Sequence, residues 1–122
     1  MELQDKKIFV TGGHGFLGGH IIQKLISRGI TEKIIFAPRS AEIDLRKRED
    51  CERAVAQCDI VVHAAAITGN VELHRAHPGK IFYENLMMGV QLMEAARNAG
   101  IHGELFPGGN LAAFLRPLLV AR

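Results

Sequence analysis

Residues 11 to 18 read T-G-G-H-G-F-L-G and come directly after the apolar run Ile8-Phe9-Val10. Gly13, Gly15 and Gly18 satisfy G-x-G-x-x-G, while Gly12, Gly15 and Gly18 satisfy G-x-x-G-x-x-G; either spacing suits a loop that holds the pyrophosphate of a dinucleotide. The first glycine permits a tight turn out of a strand, and the middle one lets backbone N–H groups reach phosphate oxygens with no side chain between. The last lets the following helix press close. A helix beginning near Phe16 aims its unpaired N–H groups and the positive end of its dipole at the anion.

A glycine pattern alone is weak in a chain with 13 glycines, so the flanking elements carry the weight. Ile8 to Thr11 reads as a buried strand. Leu17, Ile21, Ile22, Leu25 and Ile26 recur at helical spacing between Phe16 and Arg28, and Gly29 stands where a C-terminal cap belongs. With a second strand expected at Lys33 to Ala37, strand, loop, helix and strand fit the ~30 residues of a βαβ unit. Further on, Glu42 to Leu45 reads as a short extended segment and Arg46 to Gln57 as a helix with Ala54 and Val55 facing inward. Asp59-Ile60-Val61-Val62-His63-Ala64 suits a strand buried on both faces of a parallel sheet. It runs into Ala64, Ala65 and Ala66, whose small side chains leave room for a ligand where the crevice of an open α/β sheet lies. Residues 67 to 77 read as a polar connection. Pro78 suits the first turn of a long helix whose apolar surface runs from Ile81 and Phe82 through Leu86, Met87, Val90, Leu92 and Met93 to Ala95 and Ala96, with Gly100 as its stop.

At 122 residues, 48% apolar and with a net charge of +2, the chain has room for one small core and the composition of a soluble globular protein. Basic residues are dispersed apart from the mixed run Arg46 to Arg48, which leaves no nucleic-acid footprint. No apolar stretch reaches the ~18 residues of a membrane span, and the start, M-E-L-Q-D-K-K, lacks a secretory pattern; a cytoplasmic protein is expected. Cys51 and Cys58, in an expected helix, lie too far apart along it to bond and read as reduced thiols. His74 and His77 have no third or fourth ligand at a zinc spacing, so no metal site is expected.

Taken together, V-T-G-G-H-G-F-L-G, I-D-L at 43 to 45, V-V-H-A-A-A at 61 to 66 and Y-E-N-L-M-M-G-V-Q-L-M-E-A-A-R at 83 to 97 resemble the extended short-chain dehydrogenases/reductases over roughly the first 100 residues. The alanine run and H-P-G-K-I-F-Y-E-N-L-M at 77 to 87 are similar in particular to the GDP-L-fucose synthase branch of the nucleotide-sugar epimerases. The resemblance implies a Rossmann-like α/β fold, a doubly wound parallel sheet, here truncated after about four or five strands. It implies that a complete enzyme uses NADP(H) to epimerise and reduce a GDP-4-keto-6-deoxy sugar, with Ser, Tyr and Lys handling protons. It also implies that Gly12, His14, Gly15, Phe16, Leu17 and Gly18 surround the pyrophosphate, that Asp44 and Leu45 approach adenine, and that Ala64, Ala65 and Ala66 line the nicotinamide-side ribose.

Cofactor choice has its own clue. About 20 residues past the loop, where NAD binders place a carboxylate against the ribose 2′-hydroxyl, this chain has Ala37-Pro38-Arg39-Ser40. Arg39 can pair with a 2′-phosphate, and no carboxylate repels one, so NADP is expected over NAD. The plainer alternative makes Arg39 a solvated surface arginine.

The family pattern then stops. Tyr83 is the only tyrosine and Met87 follows four positions later, so no Y-x-x-x-K exists to lower a phenol pKa for acid–base work. Tyr83 is assigned to helix packing, and no catalytic residue is named. After His102 the chain runs G-E-L-F-P-G-G-N-L-A-A-F-L-R-P-L-L-V-A-R, with a remnant strand at Glu104 to Phe106. The expected division is a cofactor-binding region over residues 1 to 102 and a divergent tail over 103 to 122, from truncation or a frameshift. A shortened sheet exposes an edge and apolar surface, which predicts association, as a homo-oligomer or as poor solubility. Three functional readings stay open: an inactive cofactor-binding portion of a nucleotide-sugar epimerase/reductase, whose sugar substrate binds only if missing segments complete it; a stand-alone NADP-binding or sensing module; and a non-functional truncated product.

Overall fold

The computed structural model describes residues 3–68 and 70–101, together with the backbone of 103–105. Its strands are β1 (Ile8–Thr11), β2 (Ile35–Phe36), β3 (Ile60–His63) and β4 (Gly103–Leu105), and its α-helices are α1 (Phe16–Ser27), α2 (Arg48–Val55), α3 (Val71–Ala76) and α4 (Pro78–Asn98). The strands pair in parallel in the order β2-β1-β3-β4, with Ile8 opposite both Ile35 and Ile60, and Ile60 opposite Gly103.

Each of the four β1 residues is buried, as a central strand covered on both faces requires. Alternation along the strands sorts the core into two layers. Ile8, Val10 and Val62 pack with Ile30 and with Ile21, Ile22 and Leu25 of α1. Phe9 and Val61 pack on the opposite face against Cys51, Ala54 and Val55 of α2 and Met88, Leu92, Ala95 and Ala96 of α4. Helices therefore cover both faces, and the chain turns to opposite sides of the sheet after β1 and after β3. The carboxyl ends of those two neighbours form the switch point where ligands bind in such sheets.

Both long helices stop in the same way. Gly29 (φ +92°) and Gly100 (φ +74°) adopt the left-handed conformation that glycine takes without a Cβ penalty. At each, two successive N–H groups turn back onto helix carbonyls: Gly29 to Ile26 and Ile30 to Leu25, Gly100 to Arg97 and Ile101 to Ala96. Pro78 occupies the first turn of α4, as expected.

Several sequence expectations are corrected. The second strand is shorter than Lys33 to Ala37, because Glu32–Ile34 forms a single 3-10 turn. Residues 67 to 77 are more than a connection: Asn70 accepts a hydrogen bond from the Leu73 N–H (2.9 Å) and caps α3, whose residues are all exposed. Cys58 lies past the end of α2. On α4, Phe82 and Val90 are exposed rather than buried. The final strand begins at Gly103, and the rest of the expected tail, 106 to 122, falls outside the described residues.

Glu42 to Leu45 is the most informative correction. Glu42 and Leu45 fall in turns, the Glu42 and Ile43 N–H groups both fold back onto the Arg39 carbonyl, and none of the four residues belongs to a strand. Its backbone is held by side chains instead: Arg53 donates to the Glu42 carbonyl, Asp50 accepts from the Asp44 N–H, the Cys51 thiol donates to the Leu45 carbonyl, and Gln91 donates to the Arg46 carbonyl. Backbone groups near a core need partners, and here α2 and α4 supply them in place of a neighbouring strand.

Candidate functional site

Thr11 ends β1, and Gly12 (φ +67°) turns the chain sharply out of the sheet. The Gly15 N–H donates to the Gly12 carbonyl (2.9 Å) and closes the loop. A Cβ on Gly12 would stand 2.8 Å from the Ala65 backbone, and one on Gly13 2.7 Å from the Ala37 side chain and 2.8 Å from that of Ile22. A Cβ on Gly18 would overlap the Gly12 carbonyl, so the first turn of α1 rests on the loop itself.

Gly15 differs from these. A Cβ there would meet only the Gly12 carbonyl, at 3.2 Å, and the residue is exposed. It caps α1 in an extended conformation with no side-chain hydrogen bond, and no acidic residue stands in the first turn. The first helical bond runs from the Gly19 N–H to the Gly15 carbonyl, which leaves the N–H groups of Phe16, Leu17 and Gly18 for an outside acceptor. Free N–H groups at the positive end of a helix suit an anion.

Beside this loop opens a cleft of about 550 Å³. The glycine loop from Thr11 to Gly15 forms one wall, Pro38 to Ala41 with Ile43 to Arg46 a second, and Ala65 to Ile67 a third, over a floor of Phe9 and Met88. Of the residues selected from the sequence, Gly12, His14, Gly15, Arg39, Asp44, Leu45, Ala65 and Ala66 meet on these walls. Gly18 lies beneath the loop, and Ala64 is not part of the lining. Phe16 is 86% exposed with its ring edge-on to His20, and Leu17 is also exposed, so both offer the site their backbone rather than their side chains.

Several polar contacts fix the walls. His14 Nε2 lies 3.0 Å from the Ala37 carbonyl and ties the loop to the end of β2. The Arg39 guanidinium makes no ion pair among the described residues and stands free on the second wall. Asp44 accepts from Arg46 through both carboxylate oxygens, each at 3.0 Å, and this bonding holds its pKa below the usual carboxylate range.

Thr11, His63 and Asn85 brace the third wall, and the sequence reading did not select them. Thr11 Oγ1 accepts from the Ala65 N–H (3.0 Å) and shares a hydrogen bond with His63 Nδ1 (2.7 Å). Burial pushes the His63 imidazole down to about 4, so this ring is neutral at physiological pH. Asn85 of α4 accepts from the Ile67 N–H (2.6 Å) and donates to the Ile67 carbonyl (3.0 Å), clamping the third wall. A threonine at a strand end and an asparagine inside a helix of apolar periodicity were the available signals. Tyr83 is 61% exposed on α4, away from the cleft lining.

The arrangement can bind a dinucleotide: helix N–H groups for its diphosphate, a free guanidinium at one end, and small residues at the other. Among the described residues, no group of His, Cys, Asp and Glu is placed to hold a metal, and no helix is long and apolar enough to cross a membrane.

Residues 8–110 match the NAD dependent epimerase/dehydratase family. A GDP-L-fucose synthase from Azorhizobium caulinodans is 32% identical over 90 residues, which cover 72% of this chain and 28% of that protein. GDP-L-fucose synthase 1 from Arabidopsis thaliana is 30% identical over 112 residues, covering 90% and 34%. Among solved structures, the UDP-glucose 4-epimerase of Thermus thermophilus in complex with NAD superposes with a TM-score of 0.64 at 31% identity, covering 80% of this chain and 35% of that one. A GDP-D-glycero-L-gluco-heptose synthase from Campylobacter jejuni, solved in the presence of NADPH, shares the fold with a TM-score of 0.78 at 19% identity, covering 87% and 31%. The chain thus spans about a third of the length of the proteins it matches. With a Rossmann-like α/β sheet, a glycine loop at its switch point and a family match over most of its length, this chain belongs to the NAD-dependent epimerase/dehydratase family.

Proposed function

We propose that this chain is the dinucleotide-binding portion of a nucleotide-sugar epimerase/reductase of the GDP-L-fucose synthase kind, that it takes NADP in preference to NAD, and that it is inactive alone. The observation that carries the reading is the uncapped start of α1, whose three free N–H groups adjoin a cleft that also holds Arg39. In this reading Asp44 and Leu45 receive the adenine, Arg39 pairs with the 2′-phosphate, and Ala64 to Ala66 border the nicotinamide-side ribose. The open approach over Gly15 fits a diphosphate, because a side chain there would fill the space that the phosphates need. The bound cofactor supplies a hydride.

Inactivity follows from the absence of Y-x-x-x-K: Tyr83 has no lysine partner and stays exposed on α4. A nucleotide sugar binds only when further segments complete the site, and the reading places the protein in the cytoplasm with its cofactor pool. A division at residue 102, with a divergent tail after it, belongs to the same proposal.

Fluorescence titration of the full chain with NADPH and NADH tests this, with Gly15→Val and Arg39→Ala beside it. Expected are saturable NADPH binding, weaker NADH binding, loss of both in Gly15→Val and loss of the preference in Arg39→Ala. Equal binding by parent and Gly15→Val, or NADPH oxidation by the isolated chain with a GDP-4-keto-6-deoxy sugar, contradicts the reading.

A further inference from the structure

The two central strands stay joined past their last paired residues. The Ala64 N–H donates to the Thr11 carbonyl at 3.3 Å, the final backbone bond between β1 and the chain leaving β3. One residue later β1 has turned away at Gly12 (φ +67°), and the Ala65 N–H donates to Thr11 Oγ1 instead, at 3.0 Å. Thr11 thus adds a side-chain rung where the two chains part, and both Thr11 and Ala65 line the cleft.

What aims that rung follows from counting protons. A threonine hydroxyl has a single proton to give. Thr11 is 3% exposed, so bulk solvent does not take it, and among the described residues Oγ1 bonds to the Ala65 N–H and to His63 Nδ1, at 2.7 Å. The amide can only donate. The hydroxyl proton therefore goes to Nδ1, and the ring of His63, kept neutral by its surroundings, carries its own proton on Nε2, which faces α4 at Gly89. The opposite tautomer would set Nδ1–H against the same oxygen and strand the buried hydroxyl proton without an acceptor. Resting on the proposed cofactor cleft, we infer that His63 is a positioning residue: by accepting from the Thr11 hydroxyl it turns the Thr11 lone pair onto the Ala65 N–H and so fixes the third wall for the nicotinamide half of the cofactor. The chain Ala65 N–H to Thr11 O–H to His63 Nδ1 runs in one direction, and each bond polarises the next.

Two measurements on the full chain test this. Nitrogen NMR of the isotope-labelled protein at neutral pH, without cofactor, should show the His63 ring proton on Nε2 and none on Nδ1. Fluorescence titration then compares the parent, His63→Leu, His63→Asn, Thr11→Val and the His63→Leu/Thr11→Val double variant, with NADPH and with adenosine 2′,5′-bisphosphate, which lacks the nicotinamide half. His63→Leu and Thr11→Val should each weaken NADPH about tenfold, the worth of one buried hydrogen bond, and the double variant should be no weaker than either. The bisphosphate should bind all the variants alike. His63→Asn, whose side-chain oxygen accepts in place of Nδ1, should recover most of the NADPH affinity. Should His63→Leu fail to give a cooperative melt, Thr11→Val and the ring spectrum carry the comparison. A ring proton on Nδ1, additive losses in the double variant, no rescue by asparagine, or equal weakening of both ligands overturns the positioning role. A parent that binds neither ligand removes the cofactor reading, and the ring spectrum still decides how His63 and Thr11 are bonded.

Discussion

His63 closes β3 with its ring 2.7 Å from Thr11 Oγ1, and burial lowers its pKa from 6.5 to about 4. In the unfolded chain the same imidazole titrates near its ordinary value of about 6.5. As the pH falls below that value, the unfolded state takes up a proton that the folded state refuses, and stability drops. The loss begins near pH 6.5 and levels off below about 4, where the folded ring is also protonated. The two values differ by about 2.5, and at about 1.36 kcal/mol per pKa unit the full effect is about 3 kcal/mol. Against the ~5–15 kcal/mol of a typical domain, that is enough to move the acid limit of folding. Urea unfolding followed by circular dichroism at about pH 7.5, 6.5, 5.5 and 4.5 measures it, with His63→Leu as the reference. Carboxylates titrate in both proteins and cancel in the difference. The parent should lose stability relative to His63→Leu across this window by roughly 2.5 kcal/mol, short of the full effect because the folded ring is still mostly neutral at pH 4.5. A flat difference, or one that grows in favour of the parent as pH falls, would refute the claim that its surroundings keep this ring neutral.

Other consequences are local. Asn85→Leu leaves both the N–H and the carbonyl of Ile67 without their partner and should cost about 1–3 kcal/mol in urea unfolding; NADPH affinity should fall with it, and an unchanged midpoint would show that the clamp is dispensable. Cys51 and Cys58 are both pushed up to about 11 by burial, so iodoacetamide at neutral pH should modify the folded chain far more slowly than the urea-unfolded one; a fast native reaction at either thiol contradicts that.

What the sequence made legible was whatever local pattern determines. The apolar runs at Ile8 and Ile60, the helical spacing after Phe16, Pro78 at a helix start and the glycines after two helices each need only near neighbours, and each lies where expected within a residue or two. Long-range partners hid the rest. Glu42 to Leu45 reads as extended from its residue types, but its turns and its place off the sheet depend on Asp50, Cys51 and Arg53 of α2 and on Gln91, 45 residues beyond Arg46. The helix at Val71 lacks a buried face, so apolar periodicity could not reveal it; the Asn70 cap was the available sign. For the site, the glycine spacing located the loop, and the structure adds which role each glycine has: Gly12 turns, Gly13 and Gly18 let neighbours close in, and Gly15 leaves space.

A diphosphate resting on the start of α1 is the claim on which the rest depends, and amide chemical shifts report on it directly. Titrating the isotope-labelled full chain with NADPH should produce saturable shifts of the Phe16, Leu17 and Gly18 amides, with Ser27 and Gly29 at the far end of the helix unmoved. Saturable binding that leaves those three amides in place, or moves the far end instead, would contradict the account.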